Sequence, residues 1–211
     1  MKKIYFALTL GICLLAVMYG CSAKNGAGKT VALPDHSNMN GVTLEKAMTD
    51  RCSIRNFDLS KPITEQMLSD LVWSAWGVNR PDGKRTVPTA MNRQEMEVYV
   101  CREDGVWQYL PKEHKLQQIT SEDMRVGQMQ DAPVTLVYTG PEGRFTDMHA
   151  GSMYQNASLC AAAYGLGNVV LFTPVKELQE KLPMKPDHHV VIVQTFGWPA
   201  NASGANTQSS E

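Results

Sequence analysis

The sequence predicts an α+β domain, with helices packed around a mixed β-sheet. Three observations carry this expectation. The 211 residues suffice for one domain with a full core. Apolar residues switch between helical spacing and strand alternation along the chain. The resulting order (two helices, a hairpin, then strands alternating with helices) combines hairpin and crossover connections.

The elements follow in order. Thr43 caps a helix through Asp50, with Leu44, Ala47 and Met48 on one face. Thr64 opens a second helix to about Trp76, with Leu68, Leu71, Val72 and Ala75 inward and Gly77 at its end. Residues 79–92 hold Pro81-Asp82-Gly83 and Pro88, and a loop of this length inside a domain is usually functional. Glu95 to Arg102 alternates as a strand, with Met96, Val98 and Val100 against Glu97, Tyr99 and Cys101. Glu103-Asp104-Gly105 turns it into a partner strand, Val106 to Leu110. A short helix is expected over Ser121–Met129 and an apolar strand over Pro133–Thr139. Ala150–Leu166 reads as a helix rich in small residues, suited to a central position or a subunit interface. Val169–Phe172 follows as a strand, Val175–Lys181 as a helix and His189–Phe196 as a buried strand.

The N-terminus reads as an export signal. Lys2 and Lys3 precede an uncharged apolar run, Ile4 to Val17, too short for a membrane span. Met18-Tyr19-Gly20-Cys21 then resembles a bacterial lipobox, with Cys21 carrying lipid; an uncleaved anchor or plain secretion remains the alternative. The expected organisation is a signal peptide over 1–20, a flexible Gly/Ala/Ser/Asn-rich tether over 21–40, a domain over 41–200 and a disordered tail over 201–211. The product is exported and lipid-anchored to a bacterial membrane.

Composition excludes several functions. Lys and Arg total 20 against 21 Asp and Glu, and the basic residues are dispersed, so no nucleic-acid surface is expected. Cys52, Cys101 and Cys160 are widely spaced, which argues for buried small hydrophobes instead of a disulfide framework or zinc site. His188 and His189 are adjacent and cannot hold one metal from one face of a regular element. No phosphate loop, dinucleotide fingerprint or nucleophile elbow occurs, which points to a cofactor as the source of reactivity.

One short motif offers binding chemistry. Arg51-Cys52-Ser53-Ile54-Arg55 alternates two guanidinium groups and a hydroxyl. In an extended segment all three share a side; in a last helical turn Arg51 and Arg55 do. Either arrangement suits a phosphate or an electron-rich ring edge. Taken alone, the motif is more often a solvated helix end.

The surrounding landmarks change that balance. Leu71-Val72-Trp73-Ser74-Ala75-Trp76-Gly77-Val78-Asn79-Arg80-Pro81, followed by Lys84-Arg85-Thr86-Val87-Pro88-Thr89-Ala90-Met91-Asn92-Arg93-Gln94, resembles the FMN-dependent nitroreductase family. Arg51-x-Ser53-x-Arg55-x-Phe57, Asp131-Ala132-Pro133, Gln155-Asn156, Gly165-Leu166-Gly167 and Gly197-Trp198-Pro199 fall in the family order, from Val42 to Pro199. The resemblance implies a three-layer fold and an intertwined homodimer with FMN in clefts between subunits. By position, Arg51 and Ser53 would hold the FMN phosphate. Arg55 would reach the ribityl chain and the flavin edge, stabilising the negative charge that reduction places there. Pro88, Thr89, Ala90 and Asn92 would come from the partner subunit. Leu171 and Phe172, in the stretch 170–173, would lie near the flavin N5, unless that stretch is simply a core strand. No catalytic side chain is implied, because the flavin N5 carries the chemistry. Two-electron, ping-pong transfer from NAD(P)H or another donor to a quinone-like or nitroaromatic acceptor would follow.

Two departures from the family stand out. Many members place a basic residue after the last strand to complete the phosphate site, and here none follows Lys185. Arg85 is the first-choice substitute, with Arg80 and Arg93 behind it. An exported protein also meets little nicotinamide. A flavin-binding scaffold without turnover, or a member that oxidises heterocycles, are the alternative readings.

Overall fold

The computed structural model describes residues 28–172 and 175–200. The signal peptide, Cys21, Thr173 and the tail 201–211 lie outside the described residues. Seven strands, β1 (Thr30–Ala32), β2 (Glu97–Arg102), β3 (Gly105–Leu110), β4 (Lys115–Thr120), β5 (Val134–Pro141), β6 (Gly167–Leu171) and β7 (His188–Gly197), form one sheet in the order β1-β4-β3-β2-β5-β7-β6. The helices are α1 (Leu44–Asp50), α2 (Glu65–Trp76), α3 (Arg144–Tyr164) and α4 (Val175–Lys181).

Each neighbouring strand pair is antiparallel, not mixed. The crossover through α3 does join two strands of the same direction, β5 and β6. However, β7 inserts between them, so no parallel neighbours result. This is why a strand–helix–strand pattern produced an antiparallel ladder.

The sheet has a core on each face. Rows Val98–Tyr138–Ile192 and Val100–Leu136–Gln194 face α2 and α3. The row Tyr99–Val137–Val193 faces Leu178 of α4, Leu182, and Met129. The protein is therefore three-layered. Tyr99 and Cys101 are as buried as Val98 and Val100, because β2 is covered on both sides.

The helix caps are as expected. Thr43 Oγ1 accepts from Lys46 N–H and Thr64 Oγ1 from Met67 N–H, both at 3.2 Å. Leu68, Leu71, Val72 and Ala75 are all inside. On α1 only Ala47 is buried, while Leu44 and Met48 are exposed. The helix α3 begins six residues before the expected Ala150 and ends at Gly165, whose φ of 73° allows the left-handed cap.

Two further expectations fail. Ser121–Met129 holds only a 3-10 turn at Gly127–Met129. Asp123 takes Arg125's backbone N–H and its guanidinium on one carboxylate (3.0 and 2.9 Å), which competes with helix formation. The stretch expected as tether is ordered structure from residue 28 onward. β1 pairs with β4, Leu33 is buried, and Ser37 donates to buried Asp70 through N–H (2.8 Å) and Oγ (2.6 Å).

Candidate functional site

The Arg-x-Ser-x-Arg segment leaves α1 through Arg51, whose N–H closes the helix on Ala47 O (3.0 Å) and whose own φ and ψ (−61°, 117°) are extended. The chain then runs along the outer edge of β6. Ser53 forms a parallel bridge with Asn168, and Ile54 N–H donates to Asn168 O at 2.9 Å. Asp58 N–H donates to Trp198 O (2.8 Å) and Ala200 N–H to Asn56 O (3.0 Å), so the segment continues from β6 onto the stretch that follows β7.

Two glycines permit this approach. A Cβ on Gly167 would lie 2.7 Å from Ile54 Cβ, and one on Gly197 would lie 2.8 Å from Phe57. This accounts for two of the glycine landmarks in the sequence. Ile54 is turned onto Gly167, and Phe57 onto Gly197, the cross-strand partner of Gly167. Arg51 is half-buried; Ser53 and Arg55 are exposed. None of the three side chains hydrogen-bonds or ion-pairs with a described residue. Two guanidinium forks and a hydroxyl, unengaged by any described residue and within five residues of a backbone-anchored segment, have the chemistry to take a phosphate-bearing group such as FMN.

Asn168 is anchored from inside. Its Oδ1 accepts from Ser158 Oγ and from Gln194 Nε2, each at 2.9 Å. Gln194 is fully buried, accepts from Tyr138 O–H (2.7 Å) and donates to Tyr154 O (3.2 Å). Sequence reasoning missed Asn168 and Gln194, since their roles depend on contacts between distant elements.

The second predicted group, Pro88, Thr89, Ala90 and Asn92, forms an exposed to half-buried turn leading toward β2. Met91 and Asn92 both have positive φ (51° and 56°). Ala90 N–H donates to Nε2 of His149 on α3 at 2.8 Å, a contact the sequence did not signal. His149 is 5% exposed, and burial lowers its pKa from 6.5 despite the opposing charge of Glu95. No hydrogen bond joins this turn to Arg51–Arg55. The strands they flank, β2 and β6, are three spacings apart, about 14 Å. One chain therefore holds the two halves separately.

Leu171 is buried in the α4-side core, as the core-strand alternative expected, whereas Phe172 is 75% exposed. Asn168 C=O points outward to Ile54, so Val170, two residues on, presents its backbone to the same open edge.

Within one chain Arg85 does not meet the Arg51–Arg55 segment. It is 8% exposed, its guanidinium covers the Trp76 ring at 4.9 Å, and its Nη1 donates to Trp76 O at 3.5 Å. It packs near Tyr109 of β3, four strand spacings from β6, about 19 Å. Arg80 donates to Arg85 O at 3.4 Å, whereas Arg93, beside Asn92, is exposed and unengaged by any described residue. A cavity of about 360 Å³ between α1, α2, α3 and the 79–86 loop, lined in part by Trp73, Asn79, Thr86 and Asn156, includes none of the expected cofactor residues. Cys101 and Cys160 are buried, their thiols pushed up to about 12 by burial; Cys52, expected inside, is exposed.

Residues 48–198 match the profile of the nitroreductase family. A Methanocaldococcus jannaschii protein assigned as a nitroreductase is 30% identical over 165 residues, 66% of this chain and 81% of that protein. A crystal structure from Ralstonia eutropha, assigned likewise, has a TM-score of 0.75 at 31% identity, covering 83% of this chain and 92% of the other. Another, from Desulfovibrio desulfuricans and solved in complex with FMN, shares the fold with a TM-score of 0.57 at 17% identity, covering 81% and 92%. With its three-layer α+β fold and this match over most of its length, the chain belongs to the nitroreductase family.

Proposed function

We propose that this family member is an FMN-dependent oxidoreductase that passes two electrons from NAD(P)H or another donor to a flat, electron-poor acceptor such as a quinone or nitroaromatic. The observation that carries the reading is the anion clamp. Arg51, Ser53 and Arg55 lie on a segment anchored to the β6 edge by its backbone, with no side-chain partner among the described residues. An Arg left without an acceptor on a rigid strand is preorganised for an external anion.

FMN, when bound, supplies the redox chemistry. In this reading Arg51 and Ser53 hold its phosphate, and Arg55 sets a cation beside the edge where reduction places negative charge. The Val170 backbone offers an N–H on the same edge. Because one chain keeps the clamp and the 88–92 turn apart, the complete site takes the turn from a second copy, as a homodimer. Arg93 would travel with that turn and is the remaining candidate for the missing cation. Export and lipid anchoring through Cys21 belong to the same proposal and rest on residues 1–21 of the sequence alone.

Anaerobic titration of the FMN-loaded protein with NADH, NADPH and a quinol tests turnover. Bleaching of the flavin by one donor, followed by reoxidation with a quinone, is expected. FMN uptake with no reduction by any of the three would contradict the enzyme reading and leave a flavin-binding scaffold.

A further inference from the structure

The 88–92 turn has an unusual backbone for an exposed segment. Two successive non-glycine residues, Met91 and Asn92, are left-handed, and no side chain caps the turn at Thr89. Asn tolerates that region, but Met does so rarely, and such strain persists only where the surroundings hold it. The hold comes from the far side of the helical layer. His149, one turn into α3, accepts the Ala90 N–H on Nε2 at 2.8 Å. Its ring is buried and stacks on Phe145, with centroids 6.5 Å apart and planes at 19°.

A backbone N–H can only donate, so His149 Nε2 carries its lone pair and the ring is neutral, protonated on Nδ1. Protonation at Nε2 would turn the acceptor into a donor facing a donor. We infer that His149 is a positioning residue for the cofactor turn: in its neutral form it holds Ala90 and the left-handed Met91–Asn92 pair in shape, and on protonation it releases them.

Burial and the nearest charge act on the ring in opposite directions. Glu95, at the end of the turn, favours the protonated form. Arg144 lies with its guanidinium 4.6 Å over the Phe145 ring, the ring on which His149 stacks. Burial decides, lowering the folded-state pKa below 6.5. A group with a depressed folded pKa contributes fully above its unfolded value. The hold is therefore complete above about pH 6.5 and is lost as pH falls through the lowered value.

That the turn meets FMN rests on the function proposed above; that His149 holds the turn does not. The test is amide hydrogen exchange of Ala90 in the full-length chain without FMN, compared between wild type, His149→Leu and His149→Gln, followed by FMN affinity. Ala90 should be protected in the wild type and exchange about tenfold faster in His149→Leu. In His149→Gln, whose Oε1 can accept the same N–H, it should be largely protected again. Lowering the pH should strip protection from the wild type beyond the intrinsic trend but not from His149→Gln. FMN affinity should follow the same order. Equal Ala90 exchange in wild type and His149→Leu would overturn the inference. Failure of all three proteins to bind FMN, with the exchange order intact, would instead overturn the cofactor reading and support the hold.

Discussion

Ile54 and Asn168 are joined by a single backbone hydrogen bond of 2.9 Å, and through it the sheet interior sets the register of the anion clamp. On the inner side, the Asn168 amide is fixed by Ser158 and Gln194. On the outer side, Ser53 and Arg55, which flank Ile54, are both exposed. The backbone of the Arg51–Arg55 segment is thus tied to a buried polar network.

Gln194→Leu removes the partner of Tyr138 O–H and one donor to Asn168, both groups being buried. Unfolding in urea should show a loss of about 1–3 kcal/mol, the cost of leaving buried polar groups unpaired. FMN affinity should fall as well. A loss below about 0.5 kcal/mol would mean that the network is not what fixes Asn168.

Gly167→Ala and Gly165→Ala separate clamp geometry from fold stability. At Gly167 the new Cβ meets Ile54 at 2.7 Å, so the strand must shift and FMN affinity should drop about tenfold. At Gly165, with φ of 73° and only Trp198 at 4.0 Å, the cost is backbone strain of about 1–2 kcal/mol in stability, with the clamp intact. Equal FMN affinity in the two variants would contradict the close-approach role of Gly167.

Arg85→Met should leave FMN affinity within about twofold of wild type, because Arg85 is buried on Trp76 and far from the clamp. Replacing a buried, incompletely bonded cation by an apolar side chain of similar length is often neutral for stability. Arg93→Ala, by contrast, should weaken FMN binding, measured by flavin fluorescence quenching. An Arg85→Met protein that loses FMN with its fold intact would restore Arg85 to the site.

Cys52 should be the reactive thiol of the domain. It is exposed between Arg51 and Ser53, whereas burial keeps Cys101 and Cys160 protonated. A thiol reagent should label Cys52 readily in the native protein, label the other two only on unfolding, and label Cys52 more slowly once FMN is bound. Undiminished labelling at saturating FMN would place the cofactor elsewhere.

Local patterns made α2 and the Arg51–Arg55 motif legible: Leu68, Leu71, Val72 and Ala75 repeat at helical spacing, and alternating donors read the same in any extended chain. Long-range pairing did not show. β4 alternates mostly polar residues around Leu116, and β1 hides in a stretch whose composition suits a linker. The insertion of β7 between β5 and β6 leaves no mark on either strand. The inward turn of the Arg85 side chain onto Trp76 did not show either, because its neighbours read as an exposed functional loop. His149 looked like any helix residue until Ala90, 59 positions away, was seen to donate to it.

The most direct measurement is the visible spectrum of the chain lacking residues 1–20, purified and incubated with FMN, beside its Arg51→Ala variant. The account predicts a yellow protein with bound flavin near one per chain. It also predicts FMN affinity reduced by about 1.5–3 kcal/mol in Arg51→Ala, the scale of a charge-assisted contact, with unchanged thermal stability because the Arg51 side chain has no partner among the described residues. A colourless protein that takes up no added FMN, or an Arg51→Ala variant that retains flavin as tightly as wild type, would contradict it.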